Sequence, residues 1–265
     1  MKTRMYKPIF KKVLFKKRGF TLWWFLGIAA MTCFTMLFFH SFSSGVFDSS
    51  FKNLPEAVQK TVGNAESFKT VSGYISQQIF ELRIPMLAIV LTIGLFHGLS
   101  VGLEQQGITE TELTLPMDRK RLLIGRVLAG LAISTITICG ASAGVLIGLL
   151  TIKESFSFTT LLTINLQCLL IALVFGLFGF MLGAITGKRS FSLGAASAFA
   201  FGCFLVNSMS TSVSAFKEID KLLPFHYYTT SGDFYLVNTI ILLVYCLVPV
   251  VVAMVGFSRR DIQLR

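Results

Sequence analysis

With 265 residues, 54% of them apolar and only 14% charged, the chain lies far from the roughly 45–50% apolar and 25% charged average of soluble domains. Its 24 basic and 13 acidic residues leave a net charge of +11, which taken alone would suit nucleic acid. The placement of those charges excludes both a soluble globular domain and a nucleic-acid module. Asp, Glu, Lys and Arg are absent from 19–47, 84–103, 127–152, 155–187, 190–216 and 234–258. Each of these six windows reaches the ~20 residues that cross a hydrocarbon core as a helix.

The windows predict an all-α polytopic membrane protein with six transmembrane helices. Barrel strands alternate apolar and polar positions, whereas Ile240–Val255 is apolar on every side. Uninterrupted helices satisfy the backbone where no water can. Residues 1–18 form a basic interfacial segment. Within it Tyr6, Ile9, Phe10, Val13 and Leu14 share one helical arc, and Lys11, Lys12, Lys16 and Arg18 lie mostly opposite. A merely basic tail that obeys topology fits the same residues. The apolar run that follows exceeds the 7–15 residues of a signal-peptide core and lacks an A-x-A site, so no cleavage is expected. Residues 43–83 form the first extracellular loop, with room for short helices of its own. Pro85 falls in the first turn of the second span, where its missing N–H costs nothing. Residues 104–121 form a loop on the opposite side, 217–233 an outer loop before the last span, and Pro249 predicts a kink in that span.

Six spans divide the charges unevenly. Segments 1–18, 104–126, 188–189 and 259–265 carry 17 basic and 5 acidic residues, while 48–83, 153–154 and 217–233 carry 7 basic and 8 acidic ones. The positive-inside rule places both termini in the cytoplasm, where anionic lipid headgroups are natural partners.

Recognisable catalytic chemistry is missing. Intramembrane ionisable groups mark function in such proteins, and the windows hold only histidines, among them His97 and His40. His97 reads either as a satisfied or cavity-facing side chain or as part of a proton or metal relay. The stretch Gly183-Ala-Ile-Thr-Gly187-Lys188-Arg189-Ser190 fails the phosphate-loop pattern, which needs glycine at Leu182 and Ser or Thr at Arg189. Cys33, Cys139, Cys168, Cys203 and Cys246 all lie in spans and read as small packing residues. No metal or cofactor is expected on this chain, and any energy source belongs to another polypeptide. Gly176, Gly179, Gly183 and Gly187, with Gly140 and Gly144, form small-x-x-x-small steps that suit packing within the chain or a seam between two copies.

The loop 104–121 is the most unusual segment. Thr109 and Glu112 fit a capping box, Pro116 ends the short helix it would start, and Asp118 is placed to cap the next one. A short amphipathic helix between two spans is built to receive a push from a soluble partner.

These residues resemble the ABC-2 type permeases, the six-span membrane subunits of ATP-binding-cassette exporters. The family loop runs E-E-E-x-G-T-L-E-x-L-L-S-x-P-x-x-R, and this chain matches it at Glu104, Gly107, Glu110, Leu113, Pro116 and Arg119, with Thr114 for Ser. It departs at Gln105, Gln106, Ile108, Thr109, Thr111 and Glu112. Leu182-Gly-Ala-Ile-Thr-Gly-Lys-Arg-Ser190 is similar to the turn between spans four and five, Leu223-Pro-Phe-His-Tyr-Tyr228 to the segment before span six, and Phe257-Ser-Arg-Arg-Asp-Ile262 to the C-terminus. Leu54-Pro-Glu-Ala57 and Gly73-Tyr74 resemble one subgroup's first outer loop. The resemblance implies a single permease domain over residues 1–265 that pairs with a second, identical or homologous permease. It also implies two cytoplasmic ATPase subunits that hold the ATP and Mg. The loop 104–121 would be the coupling element, with Glu104, Gly107, Glu110, Glu112, Leu113, Pro116 and Arg119 at the ATPase interface; Gly107 and Pro116 would shape the turn. Cargo in such a family ranges over peptides, antibiotics, lipid-linked polymers and ions, and a peptide, antibiotic or other amphipathic molecule exported across a bacterial cell membrane is the expectation here. A single-chain ion-coupled carrier and a membrane-embedded lipid enzyme are the competing readings.

Overall fold

The computed structural model describes residues 7–43, 69–105, 119–210 and 213–260. Among the described residues, six helices are long and apolar enough to cross a membrane: Arg18–Ser43, Val71–Gln105, Arg119–Ile152, Phe158–Thr186, Arg189–Ser210 and Leu236–Arg259. They are referred to here as spans one to six. No strand occurs among the described residues. The short helix Lys7–Lys16 precedes span one, with Ile9 and Val13 buried, Phe10 and Leu14 partly so, and Lys11, Lys12 and Lys16 exposed. The apolar side of this helix is thus turned to the protein and the lysines outward; Tyr6 lies outside the described residues.

Spans two and three are longer than their uncharged windows. Span two begins at Val71, ahead of the window at 84, because Tyr74, Ile75, Ile79 and Phe80 are buried while Glu81 and Arg83 project from exposed positions. Part of the stretch assigned to the first outer loop is therefore helix. Span three begins at Arg119 and carries Arg126 fully buried, its Nη1 donating to the Leu99 carbonyl at 3.4 Å. A charge ends an uncharged window, but a helix continues wherever that charge finds water or an acceptor. Span two also winds as π-helix over Ile75–Glu81 and Gly98–Gly102. Pro249 is buried inside span six.

Glycine sets how closely the spans approach. In span three, Gly140 faces the Phe25 carbonyl, Gly144 faces Ala29 and Thr32, and Gly148 faces Met36. A Cβ at Gly144 would stand 1.9 Å from Thr32 Oγ1 and 2.2 Å from the Ala29 oxygen, so spans one and three touch backbone to backbone. Span four packs Gly176 against Thr92 and Phe96, Gly179 against Ala196, and Gly183 against Ser100 and Val101. These steps are thus used within the chain. Polar links join span four to spans two, six and three. Thr92 Oγ1 donates to the Ala172 carbonyl at 2.7 Å, Gln167 Nε2 donates to Thr239 Oγ1 at 2.9 Å, and the Asn165 amide donates to Ser142. Span four, bonded in this way to spans two, three and six, is the centre of the bundle.

At one end of the bundle the loop before span six closes over span two. Pro224–Tyr227 makes a 3₁₀ turn, the Tyr228 hydroxyl donates to the Phe80 carbonyl, and Ser76 Oγ donates to the Thr230 carbonyl at 2.8 Å. Burial holds the Tyr228 phenol well above the usual tyrosine range, so it remains a donor. Asp220 accepts from Asn207 Nδ2 at 3.0 Å and lies 2.8 Å from His226 Nδ1. Tyr74, from the Gly73-Tyr74 pair, donates to the Thr35 carbonyl at 2.7 Å.

Filling the seam between spans one and three should loosen the whole bundle. Gly144→Val is expected to lower stability by about 1–3 kcal/mol on thermal unfolding in detergent. Gly202→Ala, where a Cβ would meet nothing within 4 Å, leaves the transition unchanged or raises it. A Gly144→Val transition equal to that of the unaltered chain would contradict the packing.

Candidate functional site

The other end of the bundle gathers the basic segments. Helix Lys7–Lys16 packs on span three there, and the loop 104–121 leaves and re-enters the bundle beside it. Of the residues expected at the ATPase interface, Gly107, Glu110, Glu112, Leu113 and Pro116 lie outside the described residues, as do Thr109 and Asp118. Glu104 and Arg119, the two ends of the loop, are described.

Both ends meet Arg260, at the foot of span six. Its Nη1 donates to Glu104 Oε2 at 3.2 Å, and its Nη2 pairs with Glu104 Oε1, a two-pronged ion pair. The same Nη1 also donates to the Ala184 carbonyl at 3.3 Å. The Arg260 carbonyl in turn accepts from Arg119 Nη1 at 2.9 Å. The Glu104 and Arg260 side chains are only 18% and 21% exposed, which shields the pair from water and salt.

Local geometry explains why a bulky guanidinium fits. Gly187 ends span four in the left-handed region, with φ 64°, and its N–H donates to the Gly183 carbonyl at 2.9 Å. A Cβ on Gly187 would stand 1.9 Å from Arg260 Nη2. Glycine is therefore required twice at this position, once for the turn and once for the arginine that lies over it. Phe257, one turn before Arg260, is buried and holds the foot of span six against the bundle.

Residues from three separate motifs thus converge: Glu104 and Arg119 from the loop, Gly187 from the turn after span four, and Arg260 from the C-terminal Arg-Arg-Asp. Each was visible in sequence, but their junction was not. Glu104, singled out as a partner-facing carboxylate, is engaged inside the chain, and so is Arg119. His97 and Glu104, seven residues apart, do not act together: His97 Nδ1 lies 2.9 Å from Ser192 Oγ instead. Sequence reasoning missed Arg126, one residue before the window at 127, and Arg260, which its motif contained without a role. Among the described residues no group of three or more His, Cys, Asp or Glu side chains is placed to hold a metal, and all five cysteines are free thiols. The arrangement locks the two ends of one loop to the ends of two spans.

The junction is testable as a coupled unit. Glu104→Gln and Arg260→Gln, separately and together, should show a coupling energy of about 1–3 kcal/mol in a double-mutant cycle read by thermal unfolding. Additive losses would contradict the ion pair.

The comparisons agree with this architecture. A family model described as ABC-2 family transporter protein matches residues 17–262. No curated protein matches the chain. The match runs from the start of span one to just past Arg260 and so takes in all six spans and the junction at their foot. The chain is a multi-pass membrane protein and belongs to the ABC-2 family of transporter proteins.

Proposed function

We propose that this chain is the permease half of an ATP-driven exporter. It carries amphipathic cargo, such as a peptide or an antibiotic, out of a bacterial cell. Its basic end faces the cytoplasm, as the 17 basic residues of that end favour. A second permease copy or homologue completes the path. Two cytoplasmic ATPase subunits supply the ATP and Mg sites, consistent with the absence of a phosphate loop from this sequence. The loop 104–121 is the coupling element, with Glu110, Glu112 and Leu113 presented to the ATPase and Gly107 and Pro116 shaping the turn.

The observation that carries this reading is the junction at Arg260. A loop fastened at both ends to the feet of spans four and six cannot move without moving them. ATP binding on a partner drives transport only if that partner grips one arrangement of the spans more tightly than the other. A tethered loop provides that differential grip, because strain applied at its tip reaches the spans. Glu104 and Arg119 serve here as anchors of the loop, and the residues between them meet the partner.

The test is co-purification of the full chain with its cytoplasmic ATPase and measurement of cargo-stimulated ATP hydrolysis. A Gly-Pro replacement within Glu110–Leu113 should abolish association. Arg260→Ala should preserve association yet lower stimulated hydrolysis by about tenfold, equivalent to ~1.4 kcal/mol of lost coupling. ATPase binding that survives the helix-breaking change would contradict the coupling role.

A further inference from the structure

A cavity of about 390 Å³ opens at the basic end, between the N-terminal helix, span two and the start of span five. Its floor is the helix face of Gly94, Gly98 and Gly102, spaced four residues apart. Elsewhere in the chain such glycine steps are filled by a neighbouring helix; here they are not. A Cβ at Gly94 would meet nothing within 4 Å, and the nearest atom to one at Gly98 is Lys17 Nζ at 3.9 Å. The removed side chains leave space, and that space is lined by cations.

Lys17 and Arg189 line it, and so does Lys16. No acidic side chain lines the cavity among the described residues, and the nearby carboxylate of Glu104 is already engaged by Arg260. Val13, Leu99 and Leu103 supply apolar lining. The cavity therefore sets Lys17 and Arg189 beside an apolar wall, the pattern of a site for an amphiphile with an anionic head.

His97 adds a third requirement. It lines the cavity and is only 6% exposed. His97 Nδ1 lies 2.9 Å from Ser192 Oγ. Nε2 is buried and without a hydrogen-bond partner. An unpaired buried polar atom costs free energy until a partner reaches it. A ligand hydroxyl, which both donates and accepts, can pair with Nε2 in either tautomer of the ring.

The cavity's depth agrees with this chemistry. Along span two, His97 and Gln105 are separated by roughly 10–12 Å, since the π-helical turn Gly98–Gly102 between them rises less per residue than the 1.5 Å of an α-helix. That distance covers the headgroup layer and the first acyl carbons of one leaflet. Lys17, where the interfacial helix turns into span one, stands at the surface end of this interval.

We propose that the cavity is a binding site for a phosphate-bearing lipid of the adjacent leaflet, with a hydroxylated headgroup of the phosphatidylglycerol type. The phosphate lies between Lys17 and Arg189, a headgroup hydroxyl pairs with His97 Nε2, and an acyl chain follows Val13, Leu99 and Leu103 along the glycine face. The site joins the N-terminal helix, span two and span five, so an occupant touches all three elements. This inference requires the membrane-spanning fold and does not depend on the ATPase.

The test uses the full chain in detergent, titrated with short-chain phosphatidylglycerol and read by native mass spectrometry. One lipid should bind per chain at concentrations where phosphatidylcholine does not. Lys17→Gln with Arg189→Gln should weaken binding by about tenfold or more, whereas Lys188→Gln, an equal loss of charge outside the cavity, should not. Gly98→Leu should abolish binding by filling the floor. His97→Phe should erase the preference for phosphatidylglycerol over phosphatidylmethanol, which has the charge but no hydroxyl. Equal binding of phosphatidylcholine, or binding indifferent to the charge pair, would overturn the proposal. Competition by glycerol phosphate at the same concentration as the lipid would also overturn it, in favour of a soluble phosphate ester.

Discussion

Hydrocarbon accepts neither an unpaired backbone group nor an unpaired charge, and every level of this structure answers to that constraint. The backbone answers by forming six helices. Polar side chains inside the bundle answer by bonding across seams, as Thr92 does to Ala172 and Gln167 to Thr239. Charges answer by moving to the ends, and Arg126, the buried exception, donates to Leu99. Close helix approach, which in lipid must come from shape and not from hydrophobic association, rests on glycine. Gly144 and Gly183 let neighbouring backbones or hydroxyls come nearer than any Cβ would allow.

Sorting charge to the ends concentrates basic residues on one face, and that surplus is put to two uses. Arg260 spends its guanidinium on Glu104 and Ala184 and its carbonyl on Arg119, which ties the loop 104–121 into the bundle. Lys17 and Arg189 face a cavity with no carboxylate among its described lining. One use joins parts of the chain; the other leaves charge available to a ligand. The net charge of +11 is thus an average over a face with structural and binding tasks and an opposite face near neutrality.

The spans were legible because charge exclusion leaves long, unmistakable gaps in the sequence. Their ends were less so. Glu81 and Arg83 closed a window although the helix carrying them continues, because exposed positions on a helix end tolerate charge. The π-helical turns of span two have no compositional mark. The small-x-x-x-small steps were visible, but which helix each one meets depends on three-dimensional partners: Gly140 and Gly144 meet span one, Gly176 and Gly183 span two. The stripe Gly94, Gly98 and Gly102 has the same spacing and the opposite outcome, open space, and spacing alone does not distinguish the two. At the candidate site the motifs were readable singly. That Glu104, Arg119, Gly187 and Arg260 form one junction required the fold, since 156 residues separate Glu104 from Arg260.

The central claim is that the basic end, with its junction and loop, faces the cytoplasm. Single cysteines introduced at Lys120 and Lys188, at that end, and at Lys153 and Lys221, at the other, test it directly with a membrane-impermeant maleimide on intact cells. All four positions are exposed, whereas the native cysteines lie within the spans. The account predicts labelling at 153 and 221 in intact cells, and at 120 and 188 only after permeabilisation. Labelling of 120 and 188 in intact cells would contradict it.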